Sequence, residues 1–190
     1  MRLADDDILV SIGSETMCLR PTLRAAIRLE RLHDGFQPLF EGITSGTLST
    51  IIKVIAETST TPTTPDKIQT LIAGQPLATF LLDLTVAALS VSTRLTGHDE
   101  ERPAPPSQGK PVPFRQHHLE LFRIATGNLG WTPEQAYQAT PGEILEAHRG
   151  RADLLRSIFG GEAPHDDQPD FNATLDRDGL NRLRGKGRLR

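Results

Sequence analysis

Short Thr-Pro phrases that start helices constrain this chain more than any other feature of its sequence. Two lie close together in WTPEQAYQATPGEILEAHRG, as Thr132-Pro133-Glu134-Gln135 and Thr140-Pro141-Gly142-Glu143. In each phrase the Thr hydroxyl accepts from a free N–H of the first turn, and proline occupies the first helical position, where no N–H is needed. Gln or Glu at the third position then reaches back to the cap. The sequence therefore predicts two helices in close succession.

Similar helix start and stop signals, together with apolar periodicity, predict helices along most of the remaining chain. Only the start differs: Ile8, Val10 and Ile12 alternate with other residues before Gly13-Ser14, which predicts a β-hairpin over residues 8–20. The predicted fold is mainly α with a small N-terminal β-hairpin, formed by a helical N-terminal domain and a small helical C-terminal module. The first seven predicted helical segments are 22–34, 38–43, 48–57, 64–74, 76–95, 114 to about 127, and 133–139. The next begins at Thr140 and has Gly150 as a candidate end, and the last is 152–159.

The composition between and after the helices predicts the domain boundaries. GHDEERPAPPSQGKPVP is charged, rich in proline and almost devoid of large apolar residues, as linkers are. Six basic residues and one acidic residue lie between Arg177 and Arg190, although the whole chain has a net charge of −3. We expect a domain at 1–96, a linker at 97–112, a helical module at 113–159, and an acidic then basic disordered tail at 160–190.

The residues offer little sign of catalysis. Neither a nucleotide-binding glycine motif, nor a G-x-S-x-G turn, nor an H-E-x-x-H pair occurs. Cys18 is the single cysteine, which suits a reducing compartment, and the adjacent His117 and His118 favour packing over metal binding. The N-terminus has an acidic run where a signal peptide is basic. We expect an intracellular protein with no catalytic or metal site and no cofactor.

Two helices carry surfaces of interest. On the helix after Thr22, Arg24, Arg28 and Arg31 form a basic stripe, and Glu30 falls inside the opposing apolar arc. We interpret Glu30 as reaching water at the margin, with an ion pair or a neighbouring helix cap as the alternatives.

The helix at 76–95 is apolar on two faces, with Leu82, Val86 and Leu89 opposite the longer stripe. It has the length of a membrane span, about 30 Å, but Asp83 at its middle argues against insertion. It is either central in the core or packs one face and offers the other to a partner.

Residues 113–144 resemble the small tail assembly chaperones of long-tailed phages and gene transfer agents. The similarity is carried by Phe114, by Gly130-Trp131-Thr132-Pro133 and by Thr140-Pro141-Gly142-Glu143. One departure is that Ala136-Tyr137 replaces an aromatic pair, so that only Tyr137 can take that role. Leu19-Arg20-Pro21-Thr22-Leu23, leading into a helix with Leu29-Glu30, is similar to the companion chaperone of the same systems.

The resemblance implies a role in assembly without a reaction. Such chaperones keep the tape-measure protein soluble in the cytoplasm of the bacterial host, recruit tail tube protein and are absent from the mature virion. We expect both partners, homo-oligomerisation and no membrane. Both regions in one chain fit either a frameshifted long form or a natural fusion. The expected partner-binding residues are Leu82, Val86, Leu89, Arg24, Arg28, Arg31, Trp131 and Tyr137, with Trp131 anchoring the C-terminal module.

Two other classes of function stay open. Helices after Thr132 and Thr140 could form a helix-turn-helix of a nucleic-acid-binding regulator whose basic tail holds phosphate. Acidic residues interleave with the basic ones in EILEAHRGRADLLR, whereas a DNA-reading helix has a uniformly basic and polar face. An enzyme with an unrecognised site is the third possibility.

Overall fold

A computed structural model describes residues 7–73, 77–97 and 113–160. Strands β1 (Ile8–Ile12) and β2 (Glu15–Leu19) form an antiparallel hairpin in which Val10 faces Met17. Val10, Met17 and Leu19 are buried, and Leu9 points to solvent with 72% of its surface exposed. The predicted hairpin is confirmed, and the alternation of its residues places one face on the core.

The remaining described elements are helical, so that the predicted mainly-α fold class with an N-terminal hairpin is confirmed. A π-helical turn, Ile124–Asn128, continues the helix that begins at Phe114. The helices are α1 (Leu23–Leu32), α2 (Phe36–Thr44), α3 (Leu48–Thr58), α4 (Pro65–Ala73), α5 (Leu77–Leu95), α6 (Phe114–Arg123), α7 (Pro133–Gln138) and α8 (Pro141–Phe159).

Both repeated phrases form the predicted capping boxes. Thr132 Oγ1 accepts from Gln135 N at 3.3 Å, and Gln135 Oε1 accepts from Thr132 N at 2.9 Å. At the start of α8, Thr140 Oγ1 accepts from Glu143 N at 3.1 Å, and Glu143 Oε2 accepts from Thr140 N at 2.8 Å. Each pair satisfies two backbone donors that the helix leaves free.

Helix α8 does not end at the candidate stop Gly150. Gly150 has helical backbone geometry, and the helix ends before Gly160, which adopts φ +69° and donates its N–H to Arg156 O at 2.9 Å. A glycine costs only about 1 kcal/mol inside a helix, so neighbouring turns can carry the helix through it.

A first core lies between the hairpin and helices α1 to α5. Leu29 on α1, Phe36 and Leu39 on α2, Ile51 on α3 and Leu84 on α5 are all fully or almost fully buried in it. A second core contains residues of α6, the π-helical turn, α7 and α8, and it also includes Leu23, the first residue of α1. Its members are Leu23, Leu121, Ala125, Ala136, Ala139 and Ile144.

The observed division of the chain differs from the predicted domains. The described part of the chain divides after Gly150, so α6 and α7 belong with α1 to α5. The reason is that α1 contributes to both cores, through Leu29 to the first and Leu23 to the second. Leu23 N also donates to Ala139 O at 2.8 Å. Residues 98–112 of the expected linker 97–112 and residues 161–190 of the expected tail 160–190 lie outside the described residues.

Candidate binding groove

The predicted basic stripe lies along the side of α1 that faces away from the first core. Ala25, Ala26 and Leu29 are buried, whereas Arg28 and Arg31 are exposed and Arg24 is half-buried. The three arginines follow one another by four and three residues, which keeps them on one side of a helix. This side of α1 forms one wall of a groove.

Helices α6 and α7 form the opposite wall. Arg115, Leu119 and Phe122 of α6 are also spaced by four and three residues, and Tyr137 of α7 stacks on Phe122 at 4.9 Å between ring centroids. We call the resulting cavity of about 880 Å³ the arginine groove. Its lining residues are Arg24, Ile27, Arg28, Glu30, Arg31, Asp34, Gly35, Arg115, His118, Leu119, Phe122 and Tyr137.

Two of the groove's arginines are held by carboxylates at its edges. Arg24 donates to Glu134 Oε2 at 2.6 Å and lies 5.2 Å from the centroid of the Tyr137 ring, a cation–π arrangement. The hydrogen bonds from Gln138 and then Arg24 lower the pKa of the Glu134 carboxyl. Arg28 donates to Glu57 Oε2 at 3.2 Å. Solvent screens such exposed pairs and leaves them weak, so either arginine can exchange its partner.

The other two arginines have no such partner within the described residues. Arg31 on α1 and Arg115 on α6 are exposed, and neither forms an ion pair or a hydrogen bond with any side chain that the structure places. Two guanidinium groups on opposite walls are therefore available to an anionic partner.

Glu30 and His118 meet at the floor of the groove. The Glu30 carboxylate lies 3.5 Å from His118 Nδ1, and the two side chains are 14% and 1% exposed. Glu30 therefore keeps only a little contact with water, and it forms the alternative ion pair with His118 only when that imidazole is protonated. At 3.5 Å the contact is long for a hydrogen bond. It nevertheless offsets part of the cost of burying a polar group on an apolar face.

Burial dominates the protonation of His118. The loss of water lowers the pKa of its imidazole, and the neighbouring Glu30 carboxylate opposes this effect only in part. His118 Nε2 also lies 3.4 Å from Leu95 O, and the Phe36 ring centroid is 5.4 Å away. The histidine therefore packs among aromatic and helical neighbours.

The structure brings four of the eight expected binding residues together in the groove: Arg24, Arg28, Arg31 and Tyr137. Trp131 is half-buried against the second core and is not among the groove's lining residues. The sequence reasoning missed Arg115 and Leu119. Their spacing with Phe122 repeats that of the α1 stripe, and this periodicity was the available signal.

The remaining three expected residues form a separate surface on α5. Leu82, Val86 and Leu89 are 65%, 55% and 37% exposed, and we call them the outer face of α5. On the other side of the same helix, Leu84 and Ala88 are buried in the first core. Two placements of this helix were predicted, one central in the core and one with a single face packed. Within the described residues, α5 packs with a single face.

The described residues do not point to a metal or to a membrane span. No group of three or more His, Cys, Asp and Glu side chains among residues 7–73, 77–97 and 113–160 could hold a metal ion. No single helix in these ranges is long and apolar enough to cross a membrane, and α2 with α3 reaches that length only as a pair bent by 119°. Comparisons with family models, curated proteins and solved structures gave no match.

Proposed function

We propose that this chain is a non-enzymatic assembly chaperone of a phage-type tail, which binds and solubilises the tape-measure protein and recruits tail tube subunits. The observation that carries the proposal is the outer face of α5. Leu82 and Val86 stay more than half exposed although the opposite side of their helix is buried. Contiguous exposed apolar side chains on a folded domain commonly mark a site where another protein binds.

The geometry of this face suits a helical partner. Leu82, Val86 and Leu89 are spaced by four and three residues and extend over about 10 Å of helix. An amphipathic helix presents anchors at the same spacing, so the two can pack side by side. Complete burial of one such side chain is worth about 1.5 to 3 kcal/mol. Three of them could hold a partner weakly enough for later release.

The two regions that resemble tail chaperones are in contact, which also supports the proposal. Arg20, in the N-terminal region, donates to Glu143 Oε1 in the C-terminal region at 2.5 Å. The backbone bond from Leu23 N to Ala139 O joins the same regions. Both motifs thus lie in one compact unit, where the two chaperone roles can act together.

The proposal includes the partners and the location that the resemblance implies. The chain would act in the cytoplasm of a bacterial host, self-associate, and be released before the virion is complete. The nucleic-acid alternative gains little from α8, because two of its three arginines pair on the same helix: Arg149 donates to Glu146 at 3.0 Å, and Arg156 pairs with Asp153. Acidic partners along a helix disfavour its approach to phosphate.

Co-expression with a tape-measure protein encoded beside this chain tests the proposal. We expect the wild-type chain to keep the tape-measure protein in the soluble fraction and Leu82→Asp/Leu89→Asp to lose this activity, because charged groups resist burial. Leu9→Asp is the matched control, since Leu9 is 72% exposed on the hairpin, and it should retain the activity. Solubilisation by a folded double variant would contradict the proposal, with folding checked by circular dichroism.

A further inference from the structure

We propose that the arginine groove binds an acidic helix of a partner protein, with the carboxylates of that helix held by Arg31 and Arg115 from opposite walls. This is a second binding surface, separate from the outer face of α5. The inference does not depend on the chaperone role, because it follows from the charges and spacing of the groove itself.

The charge of the groove favours a carboxylate-bearing ligand. Four guanidinium groups line it, and Arg31 and Arg115 have no ion pair with any described residue. Two carboxylates also line it: Glu30 is turned to His118 at the floor, and Asp34 is exposed at one end. The planar fork of a guanidinium matches a carboxylate in two parallel hydrogen bonds, which gives both attraction and orientation.

The spacing of the arginines favours a helix over an extended peptide. Along α1 the steps from Arg24 to Arg28 and from Arg28 to Arg31 are about 6 and 4.5 Å of axial rise. Carboxylates four and three residues apart on a partner helix repeat the same rises on a single side. Alternate residues of a strand repeat at nearly 7 Å and drift out of register with the arginines.

The apolar lining favours a protein over a nucleic acid. Ile27 and Leu119, the latter 47% exposed, can cover an apolar side chain that lies between two carboxylates. Phe122 and Tyr137 are stacked on each other, so their mutual faces are not open to a base. Glu30 and Asp34 repel a backbone with a charge at every phosphate, whereas a helix can leave those positions neutral.

The test uses the full chain and two synthetic helical peptides of identical composition. In one, three Glu residues at positions i, i+4 and i+7 flank a Leu. In the other, the same residues are distributed around the helix. We expect the patterned peptide to bind at least tenfold more tightly, in a manner weakened by salt, as measured by fluorescence anisotropy. Equal binding of both peptides would overturn the inference.

Charge-reversal variants locate the site. Arg31→Glu/Arg115→Glu should lose at least tenfold in affinity for the patterned peptide, because two attractions become repulsions. Lys53→Glu/Lys67→Glu reverses two exposed lysines outside the groove and should bind within about twofold of wild type, since distant surface charges are screened. All four side chains are exposed, and the one ion pair that they form with described residues, Lys67 with Glu15 at 2.8 Å, lies on the surface, so the variants should fold; thermal melting would verify this.

The remaining outcomes also decide between explanations. Undiminished binding by Arg31→Glu/Arg115→Glu would overturn the inference, and so would displacement of the peptide by stoichiometric duplex DNA, which would assign the groove to phosphate. A peptide with Lys in place of Glu should bind the reversed variant better than it binds wild type. Peptide binding without solubilisation of a tape-measure protein would support the groove while contradicting the chaperone proposal.

Discussion

The Glu143 carboxylate joins two parts of the chain that are 123 residues apart, because it accepts a hydrogen bond from Arg20 at 2.5 Å. Its other oxygen closes the capping box with Thr140 N at 2.8 Å. One side chain therefore starts α8 and ties it to the end of the hairpin. Burial disfavours the charged guanidinium of Arg20, but Glu143 and Asp7 outweigh it and raise its pKa.

Glu143→Gln should separate these two roles. Glutamine can still accept from the Thr140 N–H, so the capping box survives, while the charge that holds Arg20 is lost. We expect the free energy of unfolding to fall by about 1 kcal/mol, because both side chains are partly exposed and solvent weakens the pair. Urea denaturation followed by circular dichroism measures this.

Glu146→Gln on the same helix is the control. Glu146 pairs with Arg149 three residues away, and such surface pairs contribute less than about 0.5 kcal/mol. Equal losses in the two variants would mean that the bond between Glu143 and Arg20 adds nothing beyond the effect of removing a carboxylate from α8.

Leu23→Ala should destabilise residues 7–97 and 113–150 together. Leu23 is fully buried in the second core, and its removal should cost about 2 to 5 kcal/mol. Since Leu23 begins α1, which also packs in the first core, unfolding should remain a single transition. The only tryptophan, Trp131, lies against the second core, so its fluorescence reports on that region while circular dichroism reports on all helices.

Coincident fluorescence and circular dichroism transitions, both shifted to lower urea in Leu23→Ala, are the expected result. Leu9→Ala, at a side chain that is 72% exposed, should shift neither by more than about 0.5 kcal/mol. A circular dichroism transition that moves while the Trp131 fluorescence transition stays in place would favour the separate domains at 1–96 and 113–159 that the sequence suggested.

The elements were predictable because their signals are local. The alternation around Val10 and the boxes at Thr132 and Thr140 each depend on residues a few positions apart, and all three are present as predicted. Gly150 was misleading because a glycine ends a helix only if it adopts the left-handed conformation, and Gly160 does so instead. Which of the two glycines adopts the left-handed conformation depends on the conformation of the residues that follow it.

The site was only half predictable, because its second wall comes from a distant part of the chain. The α1 stripe could be derived from helical spacing alone, but nothing near Arg31 indicates that Arg115 lies across a groove from it. In the same way, an ion pair was only an alternative interpretation for Glu30, because the residue that faces it, His118, depends on how α6 packs on α1. A buried polar residue predicts that a polar contact exists, but it does not identify the residue on the other side of that contact.

Stability should decrease as the pH falls from about 7 toward 5. Burial lowers the pKa values of His33, His117 and His118, so the unfolded chain, with histidines near 6.5, binds protons that the folded chain does not. The contribution is complete above the unfolded value and is lost as the pH falls toward the folded values. Urea midpoints between pH 5 and 8 give the profile.

Two variants should change this profile in opposite directions. His118→Gln removes one proton-binding site and should flatten it. Glu30→Gln removes the neighbouring charge that partly restores the pKa of His118, and should steepen it. A profile that Glu30→Gln leaves unchanged would show that Glu30 does not act on the imidazole.

Gly42→Ala and Gly150→Ala should change stability with opposite signs, although both glycines lie within helices. A methyl group at Gly42 would meet Thr50 Oγ1 at 2.9 Å and Cγ2 at 3.0 Å, where α2 and α3 approach closely. We expect a loss of about 1 to 3 kcal/mol there, because overpacking exceeds the gain in helix propensity. At Gly150 no described atom lies within 4 Å of the added carbon, so alanine should stabilise α8 by about 0.5 to 1 kcal/mol.

Thermal and urea unfolding of both variants measures these changes, and a third variant isolates the cause. Thr50→Ala in the Gly42→Ala background removes the two closest atoms and should recover part of the lost stability. If Gly42→Ala alone is as stable as Gly150→Ala, α2 and α3 do not approach as closely as described. If Gly150→Ala destabilises the chain, α8 does not continue through that position, and the result would support the helix end that the sequence predicted at Gly150.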